Sequence, residues 1–370
     1  MDVNYGTSRR FSLGVEEEFQ LLNAESYELT SRFDEIFEAA GSDPRMKPEL
    51  MQSTIEVATH PAETVAQAVE EARSLRATLR DAAAEHGAHI ASAGTHPFSR
   101  YEHQEITEQE RYRELVEAMQ WVAERELIFG LHVHVGLETA QQAIAVAGAL
   151  RTWLPELLAL SANSPFWHGR DTGLASTRIK VFDAFPRSGL PPAFSSFEEF
   201  ELLIERGVKT GSFDDYTFIW WDLRPHPKLG TIEIRVCDGQ TRLESVAGLV
   251  ALVQALAATL AERHEREGAL PIQPVTLIGE NKWRAARYGL DAELIDLARD
   301  EVRPAREAAL ELLELAEPAA RRLGCEAELT EIERLCARGS GADEQRGVEA
   351  EEGSLLAVAK WLAEQTVAEV

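Results

Sequence analysis

The sequence predicts an α+β fold, with one large sheet in the first two-thirds and a helical remainder. Three observations carry this. Up to about Arg242 strand-like and helix-like segments alternate, and beyond it nearly every segment has helical periodicity. Hydrophobic residues make up 45% and charged residues 27% of the 370 residues, enough apolar material for a sizeable core. No internal repeat or interdomain linker breaks the pattern, so the chain reads as a single catalytic domain over 1–370, strand-rich over about 1–242 and helical over about 243–370.

The strand candidates are Phe11–Leu22, Leu50–Thr59, Ala88–Gly94, Gly130–Gly136, Thr217–Leu223 and Thr231–Asp238, each β-branched, aromatic or alternating. Helices are expected over Ala62–Glu85, Ala140–Ala162, Arg242–Arg266, Ala292–Arg299, Arg303–Leu323, Glu326–Ala337 and Ser354–Val367. Thr107 with Glu110 and Ser196 with Glu199 have capping-box spacing. Arg338–Gly353, glycine-rich and acidic, is expected to be a mobile surface loop.

Bulk charge excludes some partners. A net charge of −26 repels nucleic acid and anionic lipid, so an anionic substrate needs locally placed cations. Three cysteines without CxxC spacing argue against disulfides and structural zinc and fit a reducing cytoplasm. The opening residues lack the charged-then-apolar pattern of a secretory leader. The longest apolar stretch, Val246–Ala261, is interrupted by Gln254 and shorter than the run of about 20 residues that spans a bilayer, so a buried core helix is expected.

Chemistry concentrates on the second face of four strands. In Phe11–Leu22, Glu16 and Glu18 point the same way, about 7 Å apart, opposite Leu13, Val15 and Phe19. A solvated acidic edge would look the same. Leu50–Thr59 places Gln52, Thr54 and Glu56 on one face; Glu49 is out of phase with Glu56 and joins it only if the chain bends, which Pro48 favours. Gly130–Gly136 carries His132 and His134 on one face, suited to a metal or to two hydrogen-bonded core histidines. Thr231–Asp238 pairs Glu233 with Arg235, which a surface ion pair would also explain. None of the four faces contains lysine, and together they suggest a metal-and-polyphosphate site: carboxylates suit magnesium and the guanidinium fork suits phosphate. Arg178–Arg187 is a local cationic patch, with a surface loop as the equal alternative, and Arg224, Arg284 and Arg287 are weaker candidates. No GxxxxGK[ST] or GxGxxG occurs, so neither a P-loop nor a dinucleotide fold is expected.

Eight ordered motifs resemble the glutamate–cysteine ligase family, in its bacterial and archaeal carboxylate–amine ligase branch: GVEEEF (Gly14–Phe19), ELMQSTIEVAT (Glu49–Thr59), GTHPF (Gly94–Phe98), LHVHVG (Leu131–Gly136), SANSPFW (Ser161–Trp167), WWDLRPH (Trp220–His226), GTIEIRVCD (Gly230–Asp238) and ENKWRAARYG (Glu280–Gly289). They span roughly Phe11 to Leu290. The resemblance implies a glutamine synthetase-like fold, a curved antiparallel sheet forming a funnel with helices outside. It implies ATP-dependent joining of a carboxylate, typically the γ-carboxylate of glutamate, to an amine such as cysteine through an acyl phosphate.

In family terms Glu16, Glu18, Glu49, Glu56, His132 and Glu233 would hold Mg²⁺ or Mn²⁺ with His134 beside them, and Arg235 would contact phosphate. Glu56, Arg178 and Arg235 are the catalytic candidates, and His134, Lys180, Arg187 and Arg235 the ATP-binding ones. Partners are then small-molecule substrates, with a homo-oligomer also expected. Two competing readings are a metal-dependent hydrolase using the HxH and carboxylates to activate water, and a catalytically silent binding relative.

Overall fold

A computed structural model describes residues 1–370. The strands are β1 (Leu13–Asn23), β2 (Met46–Pro48), β3 (Thr54–Ala58), β4 (Ala88–Ala91), β5 (Gly130–Gly136), β6 (Phe166–Trp167), β7 (Arg170–Asp171), β8 (Ser188–Gly189), β9 (Trp220–Trp221), β10 (Leu223–His226), β11 (Thr231–Asp238), β12 (Glu293–Asp296) and β13 (Glu301–Pro304). The α-helices are α1 (Phe33–Ala39), α2 (Val65–Glu85), α3 (Glu110–Met119), α4 (Trp121–Glu124), α5 (Ala140–Leu150), α6 (Leu154–Ser161), α7 (Thr177–Phe182), α8 (Phe197–Lys209), α9 (Leu243–Glu267), α10 (Val275–Tyr288), α11 (Ala305–Leu323), α12 (Thr330–Arg338), α13 (Gly341–Glu352) and α14 (Leu355–Thr366).

Seven strands form one sheet in the order β10-β11-β5-β1-β3-β2, with β4 also on β1, and every pairing in it is antiparallel. The expected strands Gly130–Gly136 and Thr231–Asp238 form as read. One face is apolar, and Leu13, Val15, Leu131, Val133, Val135, Ile232 and Ile234 pack on it against residues of α5, α6 and α9. Burying this face contributes roughly 25 cal/mol per Å² of apolar surface.

Two helical stretches, Ala140–Ser161 and Leu243–Glu267, are long and apolar enough to cross a membrane; both are mostly buried, as core helices are. The first is not the single helix expected over Ala140–Ala162, because a 3-10 turn at Arg151–Trp153 splits it and Pro155 restarts it as α6.

Glu17 lies on the apolar side of β1 and would be costly there alone. It forms a buried ion pair with Arg76 of α2, whose remaining donors reach the carbonyls of Gln240, Thr241 and Thr366. Sheet, α2 and the C-terminal helix are thereby tied at one point.

Several expectations are corrected. Leu50–Thr59 is not one strand: β2 and β3 form a hairpin, Pro48 opposite Ile55, with Glu49 in the connecting turn. Thr217–Leu223 breaks into a 3-10 turn at Tyr216–Phe218 followed by β9 and the start of β10. Ala292–Arg299 is strand β12 with a following turn, because Asn281 takes the backbone N–H and carbonyl of Ile295 (2.7 and 2.8 Å) in place of helical partners. It pairs with β13, so the region beyond 243 holds a hairpin as well as helices.

Arg338–Gly353 is not a loop: Arg338 ends α12, and Gly341–Glu352 is helix α13. The Ser340–Asp343 capping box starts it, Gly353 at φ +63° ends it, and Gln345 donates to Asn163, which outweighs the glycine content. Thr107 does not cap α3: its hydroxyl donates to the Glu49 carbonyl at 2.6 Å, and the helix begins at Glu110. Ser196 does cap α8, accepting from the Glu199 N–H, but Glu199 turns back to Ser195.

Candidate active site

The polar face of the sheet lines a cavity of about 340 Å³. Strand register builds it. β1 places Glu18 opposite Glu56 of β3 and Glu16 opposite His132 of β5; His134 in turn lies opposite Glu233 of β11, and Glu233 opposite Arg224 of β10. The β2–β3 hairpin folds Glu49 back toward Glu56, so the bend that joint service requires is present. Thr107 and Tyr112, whose hydroxyl donates to the Pro48 carbonyl at 2.8 Å, brace that turn.

Possible ligand atoms gather in three sets, each mutually within 4.8 Å: Glu16, Glu56 and His132; Glu16, His134 and Glu233; Glu18, Glu49 and Glu56. All six expected metal ligands and His134 therefore meet in one place. His132 Nδ1 lies 3.3 Å from Glu16, His134 Nδ1 meets the Thr231 hydroxyl at 3.0 Å, and the Nε2 of each histidine is buried without a hydrogen-bond partner. His134 Nε2 is 3.5 Å from Glu16 Oε1, near but unbonded.

Charge crowding follows the geometry. Burial and the neighbouring Glu16 and Glu18 push Glu56 up to about 7 despite Lys47 at 3.1 Å, and burial with Glu56 and Glu18 raises Glu49 well above the carboxylate range. Burial would raise Glu16 too, but the two histidines hold it well below that range. Packed carboxylates beside orphaned imidazole nitrogens suit a hard divalent cation, which would neutralise the repulsion and take the free nitrogens. Residues of this chain thus fit a magnesium-type site.

Arginines close the other side. On the β10 edge of β11 the Arg235 N–H continues the ladder, donating to the Asp222 carbonyl at 2.8 Å, while on the β5 edge the register shifts between Ile234 and Cys237. Such an irregularity re-aims a side chain. Arg235 and Arg224 both clasp Glu233, Arg224 at 2.8 Å; the pair is buried, not the surface ion pair considered from sequence. Arg178 is buried under the sheet on α7, donating to the carbonyls of Val236 and Arg235, with its Nε unpartnered. Gly130 makes room for it: a Cβ there would stand 2.4 Å from the Arg178 guanidinium.

Behind Arg178 lies a buried carboxylate. Asp238 accepts from the hydroxyls of Ser164 (2.6 Å) and Ser176 (2.8 Å) and from the Asn163 N–H (2.8 Å), and the Arg178 N–H donates to Ser164 at 3.1 Å. A Cβ on Gly94 would collide with Asp238 at 2.7 Å. Three of the sequence motifs therefore converge on one hub.

The remaining cations of Arg178–Arg187 do not enter. Lys180 pairs with Asp183 at 2.6 Å and faces the Trp283 ring; Arg187 stacks on Phe213 and Trp220 and donates to the Phe218 carbonyl. The stretch is helix α7 and a turn, not a surface loop, and of its cations only Arg178 lines the cavity, beside Phe182 and Phe185. Arg284 pairs with Glu280 and Arg287 donates to the Gly173 carbonyl, both away from it. Sequence reasoning missed Lys47, Arg111, Tyr112 and Glu126, all of which line the cavity. Glu126, raised to about 8 by burial and by Glu18, sits in irregular chain before β5, where no periodicity marks it.

The model of glutamate–cysteine ligase family 2 matches residues 12–360 of this sequence. The chain belongs to that family. A Rubrobacter xylanophilus relative provisionally named glutamate–cysteine ligase 2-3 is 48% identical, covering 99% of this chain and 100% of its own. One from Sorangium cellulosum, provisionally named glutamate–cysteine ligase 2, is 44% identical over 99% of this chain and 98% of its own. Among solved structures, the Francisella tularensis glutamate–cysteine ligase in complex with AMP superposes with a TM-score of 0.71 at 12% identity, covering 100% of this chain and 90% of that one. The Pasteurella multocida bifunctional glutathione synthetase gives 0.68 at 14% identity, over 97% of this chain and 52% of that one. At such identities these two likenesses speak for the fold alone, a mixed helix-and-sheet ligase architecture. Family membership makes this chain an ATP-dependent ligase forming a C–N bond, and the hydrolase reading gives way to it.

Proposed function

We propose that this ligase joins the γ-carboxylate of glutamate to an amine, with cysteine as one candidate acceptor, through an acyl phosphate formed from ATP. The observation that carries the reading is the meeting of six carboxylate and imidazole ligands with Arg178, Arg224 and Arg235 in one cavity. In this reading the polar sheet face is the wall of a funnel. Glu16, Glu18, Glu49, Glu56, His132 and Glu233 hold magnesium, which supplies charge neutralisation for the phosphates when bound.

Phosphoryl transfer asks mainly for positioning and charge. Arg235, fixed by its backbone bond to Asp222 and by Glu233, holds phosphate oxygens from one side. Arg178, anchored through Ser164 and two carbonyls, holds the substrate carboxylate or the transferring phosphoryl. No thiol is needed: Cys237 is fully buried, and burial pushes it up to about 11, as for a packing residue. Lys180 and Arg187 have no direct part, and Arg187 acts only by supporting Trp220 of the cavity wall.

The test is ADP release by the purified protein with magnesium, ATP, glutamate and a panel of amines. Amine-dependent ADP release that also requires glutamate supports the reading; release with other carboxylates only would replace the substrate. Absence of release with every pair would return the chain to a silent binding protein. A homo-oligomer in the cytoplasm is part of the proposal, and sedimentation velocity checks the assembly.

A further inference from the structure

A second cavity, of about 390 Å³, lies apart from the sheet face, between α6, α9, α10, α11 and the turn after β12. Glu156, near the start of α6, lines it and is only 5% exposed, and its Oε2 has no hydrogen-bond partner. Burying a carboxyl unpaired is costly, and packing alone gives no reason to keep one there. Across the same cavity Arg303 places Nη1 on Glu311 and near Asp296, 3.7 Å away, but its Nε is also buried without a partner. One carboxylate oxygen of Glu156 and the Nε of Arg303, both without partners, thus line one cavity, to whose wall Leu260, Leu312 and Trp153 add apolar surface.

We propose that this cavity is a regulatory site for a free α-amino acid with an apolar side chain, its ammonium on Glu156 and its carboxylate on Arg303. One small molecule carries both charges at a short spacing and brings an apolar group for the wall, satisfying all three features. Burial raises Glu156 to about 7, so an arriving ammonium has a carboxyl ready to ionise.

The site is wired to the ligase cavity. α6 ends at Ser161, and within three residues Ser164 receives the Arg178 N–H and donates to Asp238. On the opposite wall Asn281 adjoins Lys282, which reaches Asp222 at 2.7 Å and Asp183 at 2.9 Å. An occupant that shifts α6 or α10 therefore moves the support of Arg178. This inference goes beyond the ligase reading, and its test uses neither ATP nor magnesium.

The experiment is thermal melting of the full-length protein with leucine, valine, methionine or phenylalanine, and with leucinamide and N-acetylleucine as controls that each lack one charge. At least one of the four should raise Tm by about 2 °C at tenfold over its Kd, and neither control should. The rise should vanish in Glu156→Gln, an isostere of the neutral carboxyl, and persist in Arg235→Lys. Arg303→Met, at the cavity rim, gives the same readout should Glu156→Gln fail to fold. A wild-type protein unmoved by all four amino acids overturns the proposal. So does a rise that survives loss of Glu156 or Arg303, or one that vanishes in Arg235→Lys.

Discussion

Arg235 is where geometry and chemistry meet most tightly. Its guanidinium is oriented by Glu233, and its backbone is held in the β10–β11 ladder beside a register shift against β5. A preorganised donor at a transferring phosphoryl is worth about 3 to 4 kcal/mol. Arg235→Lys keeps the charge and loses the planar fork, so kcat should fall about 10²- to 10³-fold while ATP affinity stays within a few-fold. Steady-state kinetics with ATP titration check this, and an unchanged kcat would remove Arg235 from the reaction.

His96 offers a residue-scale test of stability. Its Nε2 faces the Tyr27 carbonyl at 2.9 Å, and Nδ1 accepts the Phe98 and Ser99 N–H groups, which fixes the neutral tautomer. Burial pushes it down to about 4 from an unfolded value near 6.5. The unfolded chain therefore binds the extra proton, and stability present above pH 6.5 is lost as pH falls toward 4, up to about 3 kcal/mol. His96→Asn keeps the Nδ1-like acceptor and cannot titrate. Urea denaturation at several pH values should show a shallower acid loss for the variant than for the wild type; equal slopes would refute the assignment.

At the scale of elements, strand faces were legible and their connections less so. Period-two alternation found β1, β5 and β11 because each buries one apolar face and presents the other to the cavity. The Glu49 turn was only half-read: Pro48 signalled a bend, but the β2 hairpin partner is three residues long and carries no period. α13 and β12 were misread because side chains far along the sequence, Asn163 and Asn281, take up their backbone or anchor them. The cationic stretch delivered one of its three cations, since a charge run does not reveal which side of α7 faces the sheet.

Asp238 is an element-scale hinge of the same kind, joining the 163–164 loop, Ser176 at the cap of α7, and β11. It touches no substrate in this account and acts through Arg178. Asp238→Asn loses the anionic acceptor shared by two hydroxyls, costing about 1.5 to 3 kcal/mol of stability. KM for the carboxylate substrate should rise more than kcat falls. A variant that loses stability with an unchanged KM would confine Asp238 to a purely structural role.

For the whole molecule, the net charge of −26 repels an anionic substrate at long range, and the cavity answers it locally by setting Lys47, Arg111, Arg178, Arg224 and Arg235 among its carboxylates, whose excess charge a bound divalent cation would neutralise. The fold makes this possible by covering the apolar sheet face with α5, α6 and α9, leaving the other face for ligands. That division was readable from the sequence. Glu126, the buried Arg76–Glu17 pair and the second cavity were not, because each depends on segments distant in the chain and marked by no motif. The central claim, that the polar sheet face is one metal–nucleotide site, is tested most directly by calorimetric titration of magnesium–ATP into the wild type, Glu16→Gln and Glu18→Gln. The account predicts that each substitution weakens binding at least about tenfold, roughly 1.4 kcal/mol, and that magnesium-free ATP binds all three proteins equally weakly. Unchanged magnesium–ATP affinity in both variants would contradict it.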